Sequence, residues 1–312
     1  MTIQTILLLI LGLALIVFGA DWLVDGASAI ARRAGISEFV IGLTIVGFGT
    51  SCPELVVSLT GAIQGSADIS VGNVIGSNIF NTLLILGITA VIAPVAVTRA
   101  NARRDIPIAL LVTFLFVAFA LTGQQITRVE GAVFLAVFVA YMVYCFKSDR
   151  PVEQEESGQK VKSVWLAVLL VLAGLAGLVF GGNLFVDNAT AIARALGVSD
   201  KFIAITLLAG GTSLPELATC IVAAAKKKDQ LALGNVLGSN IFNILLILGA
   251  SSVVVPLSTL AITWVDLGAL LASAAMVWLC TYTGRRDRVD RWEAILMLLG
   301  FVAYYVWLFM KL

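Results

Sequence analysis

Apolar residues run along this chain in long stretches separated by short polar islands, with no sustained alternation of apolar and polar positions. "MTIQTILLLILGLALIVFGADWLV" at the start and "AILMLLGFVAYYVWLFMKL" at the end are typical. A helix needs about 20 such residues to cross the hydrocarbon core. The pattern predicts ten spans, at 3–25, 37–64, 70–93, 106–122, 129–147, 163–186, 200–225, 231–255, 263–283 and 291–310. The first stretch has no basic leader and no small-residue cleavage site, so it is expected to stay in place as a span. Two spans break the apolar pattern. "GFGTSCPEL" (47–55) sets Glu54 inside the second, and "GGTSLPEL" (210–217) sets Glu216 inside the seventh.

Composition sharpens this picture. The chain is 60% hydrophobic and 12% charged, with a mean hydropathy of +1.03. Soluble domains carry about 25% charged residues. A net charge of +1 argues against nucleic acid as a partner. The absence of histidine excludes a His-ligated metal and a His proton relay. Cys52, Cys145, Cys220 and Cys280 stand singly, which argues against a disulfide framework or a thiolate site. No resident cofactor and no obligate protein partner is expected. With no nucleophile–histidine pair available, neither is enzymatic chemistry.

Basic residues orient the spans. Arg32 and Arg33, Arg99, Arg103 and Arg104, Lys147, Arg150, Lys160 and Lys162, Lys226–Lys228, and Arg285, Arg286, Arg288 and Arg291 all follow odd-numbered spans. Only Arg128, Arg194, Lys201 and Lys311 fall on the other side. The positive-inside rule puts the first set in the cytoplasm and both termini outside, in a plasma or inner membrane. Segment 147–162, "KSDRPVEQEESGQKVK", reads as a cytoplasmic linker.

The chain is internally duplicated. Displaced by 162 residues, 44–87 aligns on 206–249 without gaps, and 22 of the 44 positions are identical. The match includes "GNVIGSNIFN" (72–81) on "GNVLGSNIFN" (234–243). Each copy holds five spans, an odd number, so the second enters the membrane inverted. The expected fold is an all-α integral membrane protein of ten helices in two inverted-topology repeats, 1–146 and 163–312, with helices 2 and 7 broken. The most alike parts cover about 42–90 and 204–252. Inverted repeats place ion sites near the midplane, on interrupted helices.

Pro53 and Pro215 lack an N–H and leave the carbonyl four residues back without its helical partner. Freed carbonyls in hydrocarbon must face protein or coordinate something. Beside them stand Thr50, Ser51 and Glu54, with Thr212, Ser213 and Glu216. Ser77 and Asn81, with Ser239 and Asn243, add oxygens from one helix face each. Such hard oxygen donors suit Ca²⁺, Na⁺ or Mg²⁺. Asn78 falls on another face and is expected to bond the backbone of a broken helix. Gly72 and Gly76, with Gly234 and Gly238, are expected to allow close helix approach. Asp25 and Asp187 are expected to be solvated at the interfaces, and the Phe and Trp residues to face lipid or form the interfacial belts.

At these motifs the chain resembles the cation/Ca²⁺ antiporter superfamily, most closely its prokaryotic Na⁺/Ca²⁺ exchangers. The resemblance implies secondary antiport of Na⁺ for Ca²⁺ by alternating access, electrogenic in net charge. It implies a Ca²⁺ site at Glu54 and Glu216 with the Thr50 and Thr212 carbonyls. It implies flanking Na⁺ sites at Ser51, Ser213, Ser77, Ser239 and the carbonyls of Gly47 and Ala209, with Asn81 and Asn243 at the centre. Some relatives carry Asp in that last pair, and here both are Asn, which disfavours K⁺-dependent exchange and Ca²⁺/H⁺ exchange as alternatives. Spans 1 and 6 would slide as a gate. A channel is the reading from another class, opposed by broken helices around a closed charged site.

Overall fold

In the computed structural model, residues 3–65, 67–148, 163–197, 209–285 and 287–311 are described, and nearly all regular structure is helical. The helices are α1 (Ile3–Ala34), α2 (Glu38–Thr50), α3 (Cys52–Ile63), α4 (Ile69–Ile92), α5 (Asn101–Thr122) and α6 (Arg128–Ser148). They continue with α7 (Val164–Ala195), α8 (Leu214–Ala225), α9 (Asp229–Val254), α10 (Trp264–Cys280) and α11 (Arg291–Lys311). Seven of them are long and apolar enough to cross a membrane singly, and α2 with α3 passes as one span bent by 47°. The described parts of α8 and α10 are shorter apolar helices. Every expected span overlaps one of these, but 200–208 of the seventh lies outside the described residues, as does all but the start of the 147–162 linker.

Side-chain caps fix several starts. Ser37 accepts from Val40 N–H at α2, and Ser163 accepts from Leu166 N–H at α7. Thr263 and Asp266 form a reciprocal capping box at α10, and Thr127 and Glu130 do the same at α6. These groups satisfy N–H donors that a helix leaves open.

α4 and α9 are the most buried spans, at 72% and 89%, and form the centre of the bundle. α1 and α7 pack antiparallel at its side along glycines. A Cβ on Gly12 would lie 2.7 Å from Phe185 N, and one on Gly174 would lie 2.7 Å from Gly19 O. Small residues let the two backbones approach this closely. The GxxxG expectation is met in α9, where a Cβ on Gly234 or Gly238 would strike the carbonyl of Phe39 or Leu43 in α2. Gly72 is exposed instead, and a Cβ there meets nothing within 4 Å; residues 201 and 205, repeat-related to Phe39 and Leu43, lie outside the described residues. The lipid-facing expectation for Phe fails at Phe116 and Phe134, which are fully buried because the bundle is thick enough to enclose them. Trp165 and Trp264 are exposed, as belt residues would be.

Two short antiparallel ribbons tie the chain halves together at opposite ends of α5. Val95–Ala96 (β1) pairs with Arg288–Val289 (β4), and Gln125–Ile126 (β2) pairs with Leu257–Ser258 (β3).

Candidate cation site

Pro53 sits in the first turn of α3 and Pro215 in the first turn of α8, where a missing N–H costs nothing. The breaks fall two residues earlier, at Ser51 (φ −84°, ψ 6°) and Ser213 (φ −90°, ψ 5°). Two separate parts of the chain thus adopt the same local geometry. Each restarted helix presents a glutamate in its first turn, where helix dipoles favour negative charge.

These glutamates are fully buried and hold each other's repeat. Ser51 Oγ donates to Glu216 Oε1 at 3.1 Å, and Ser213 Oγ donates to Glu54 Oε1 at 3.3 Å. The second oxygen of each carboxylate, Oε2, is buried with no hydrogen-bond partner. Among the described residues no third acidic, Cys or His side chain joins the pair to make a metal cluster. The local charge is therefore −2 when both ionise.

Neutral oxygens complete the surroundings. Asn81 and Asn243 are fully buried, and Asn81 Oδ1 and Nδ2 and Asn243 Oδ1 lack partners. Both asparagines lie at π-helical turns, Phe80–Ile85 and Asn243–Leu248, a distortion common at functional sites. Ser77 and Ser239 are buried one turn earlier, and Ser239 Oγ reaches Gly47 O at 3.5 Å. A Cβ on Gly47 would lie 3.2 Å from Ser239 N, so glycine permits this approach. Thr50 is fully buried and its hydroxyl points back to Val46 O (3.0 Å). Thr212 is half-buried. Ala209 lies in the described helical stretch Ala209–Gly211.

Asn78 departs from expectation. Its Nδ2 donates to Asn240 O at 3.2 Å and its Oδ1 accepts from Asn243 Nδ2 at 2.9 Å. It joins α4 to α9 rather than capping a broken helix, because the two central helices run within side-chain reach. Sequence reasoning also passed over Asn73 and Asn235. Their Nδ2 atoms donate to Glu54 O (3.4 Å) and Glu216 O (3.5 Å). Their place in both "GNVxGSNIFN" copies was the available signal.

Asp25 is not simply solvated. Lys226 Nζ lies 2.6 Å from Asp25 Oδ1 and 2.7 Å from Asp21 Oδ1, and Lys228 Nζ pairs with Glu38 at 2.5 Å. Burial works against the Lys226 charge, but its bonds to Asp21 and Asp25 outweigh that and hold its pKa above the ordinary lysine value.

Comparison with known proteins places this geometry in a family. The chain matches the family described as "Sodium/calcium exchanger protein" over residues 4–147 and again over 166–310. CaxA of Alkalimonas amylolytica, a protein named for antiport, is 41% identical over 99% of both chains. Sodium/calcium exchanger MaX1 of Methanosarcina acetivorans is 33% identical over 97% of this chain and 98% of its own. A solved structure of the sodium-calcium exchanger NCX_Mj, soaked with 2.5 mM Na⁺ and 0.1 mM Ca²⁺, superposes with a TM-score of 0.85. It is 34% identical and covers 100% of this chain and 99% of that one. This multi-pass membrane chain belongs to the sodium/calcium exchanger protein family, whose members are cation/Ca²⁺ antiporters and not enzymes.

Proposed function

We propose that this chain exchanges Na⁺ for Ca²⁺ at one central site by alternating access. The observation that carries the reading is the pair of buried glutamate Oε2 atoms with no hydrogen-bond partner among the described residues. A buried carboxylate oxygen without a hydrogen bond is costly, and a cation cargo removes that cost. In this reading Ca²⁺ binds between Glu54 and Glu216 with the Thr50 and Thr212 carbonyls. Na⁺ ions use Ser51, Ser213, Ser77, Ser239 and the carbonyls of Gly47 and Ala209, with Asn81 and Asn243 at the centre.

Charge then explains obligatory exchange. One Ca²⁺ neutralises two carboxylates. Empty, the doubly negative site is expensive in the bilayer, so the unloaded carrier switches poorly. With tenfold inward Na⁺ and 100 mV, each Na⁺ releases roughly 3.7 kcal/mol. Exporting Ca²⁺ against a 10³–10⁴ gradient and that voltage costs roughly 9–10 kcal/mol. Two Na⁺ fall short and three suffice, which makes the cycle electrogenic.

The architecture we infer is ten crossings in two inverted five-helix halves, 1–146 and 163–312, joined by 147–162. The basic loops and the linker are cytoplasmic, and both termini are outside. The relative YrbG of Escherichia coli, 35% identical over 97% of this chain, is named an inner membrane protein, which supports that location here. We infer that α1 and α7, which pack on each other along glycines at the side of the bundle, slide as a gate against the remainder, which both ribbons brace.

The test is ⁴⁵Ca²⁺ uptake into proteoliposomes with Na⁺, K⁺ and H⁺ gradients imposed one at a time. An outward Na⁺ gradient at clamped pH is expected to drive uptake, with a response to membrane potential. Uptake driven by a pH gradient alone would overturn the reading in favour of Ca²⁺/H⁺ exchange.

A further inference from the structure

Asn235 is fully buried in α9 and belongs to none of the ligand groups proposed above. Its Oδ1 lies 3.2 Å from Thr50 Oγ1 and shares that hydroxyl proton with the carbonyls of Val46 and Gly47. Its Nδ2 donates to Cys220 Sγ (3.3 Å) and to Glu216 O (3.5 Å). Thr50 is the neighbour of Ser51, which donates to the Glu216 carboxylate. Two consecutive residues of the first break therefore hold Glu216: Ser51 through its side chain, and Thr50 through Asn235 and the backbone. A carboxamide can accept and donate from one planar group, which this bridge requires.

On the other side the ring stays open. Asn73 Nδ2 donates to Glu54 O (3.4 Å) and Ser58 Oγ (3.0 Å), and Ser213 donates to the Glu54 carboxylate. Thr212 Oγ1, which corresponds to Thr50 Oγ1, is buried without a hydrogen-bond partner among the described residues. Asn73 is also only half-buried.

We propose that Asn235 is a positioning residue of the cation site, coupling the break at Thr50 to the placement of Glu216, and that Asn73 holds Glu54 less firmly. This rests on the exchange reading. Replacing Asn235 releases the Glu216 backbone from the opposite repeat, so cation affinity falls before the fold does.

The experiment compares Asn235→Ala, Asn73→Ala, Thr50→Val and the Thr50→Val/Asn235→Ala double variant as full-length purified proteins. Each is assayed by equilibrium ⁴⁵Ca²⁺ binding and by Na⁺-driven exchange, with thermal melting as the folding check. Asn235→Ala is expected to raise the half-saturating Ca²⁺ concentration about tenfold, while maximal turnover changes less; Asn73→Ala raises it about threefold. The double variant should bind no worse than Asn235→Ala alone, because both changes cut one bridge. The proposal is overturned by a folded Asn235→Ala with wild-type half-saturation, by an equal loss in Asn73→Ala, or by additive losses in the double variant. If Asn235→Ala does not fold, Thr50→Val decides, and unchanged Ca²⁺ binding there overturns the proposal. Absence of Ca²⁺ binding by the wild-type protein itself would defeat the exchange reading, and this proposal with it.

Discussion

α3 and α8 begin alike, each two residues ahead of a glutamate in sequence, yet their surroundings differ. α8 packs along α1, and its Pro215, Thr219, Cys220, Ala223 and Ala224 are buried. α3 has no comparable packing against α7 among the described residues, and Val56 and Ile63 are 63% and 62% exposed. At the far end of α8, Lys226 binds Asp21 and Asp25 of α1. The corresponding place after α3 holds Gln64, and α7 offers Asn183 and Asp187 where α1 has its two aspartates. The carboxylates and serines obey the repeat, and the flanks do not. On the exchange reading proposed above, the cation site needs the same oxygens in both facing states, which accounts for the duplication of its parts. The flanks of such a site need not match, and among the described residues only the α8–α1 flank carries an ion-pair clamp. With the orientation proposed above, the packed and clamped side is the cytoplasmic one.

The largest effects test the equality of the two carboxylates. Glu54→Gln and Glu216→Gln should each reduce Ca²⁺ transport by about a hundredfold or more, measured by ⁴⁵Ca²⁺ flux on protein that still elutes as a folded species. Near-normal flux in either variant would break the comparison at its centre. Next come the crossing hydroxyls. Ser51→Ala and Ser213→Ala each remove one hydrogen bond to a carboxylate and should raise the half-saturating Ca²⁺ concentration about fivefold. A large effect in only one variant would show that the halves divide the work unequally.

Asn243→Asp adds a third acid to the cluster. Transport should become more sensitive to pH than in the wild type, because the added carboxyl can take up and release a proton. A pH profile matching the wild type would remove Asn243 from the ion cluster.

Lys226→Gln cuts the clamp between α8 and α1. Hydrogen exchange in the last turns of α1 should rise by a few-fold at most, because partly exposed ion pairs contribute only about 0.2–1 kcal/mol. An equal change in the last turns of α7 would deny the asymmetry. The smallest effect belongs to Asp290, beside β4. The Arg285 N–H and, after it, Arg288 hold its carboxyl below the usual carboxylate range. A depressed folded-state pKa stabilises above the unfolded value, near 3.9, and that stabilisation is lost as pH falls through the folded value. Asp290→Asn should therefore lower the melting temperature slightly at pH 7, and the difference should vanish in strong acid.

Much of this was legible from residue order. Pro53 and Pro215 announced the breaks because proline cannot donate a helical hydrogen bond, whatever surrounds it. The duplicated blocks named the oxygen-bearing residues because those residues recur at fixed spacing. Other features were not legible. Asn78 bonds the opposite central helix, and Phe116 and Phe134 are enclosed, since both outcomes depend on which helices become neighbours. The π-helical turns at Asn81 and Asn243 lie inside runs that read as ordinary helix.

Sequence alone determined the membrane-embedded class, the duplication, the two interruptions and which oxygen-bearing residues recur in both copies. Those follow from hydrophobic length and from covalent properties of single residues. Only the tertiary structure decided that Ser51 serves Glu216 and Ser213 serves Glu54, that Asn235 bridges to Thr50, and that Lys226 clamps α8 to α1. Those pairings join residues more than 150 positions apart, and no local pattern specifies which of many polar groups will meet once the helices pack.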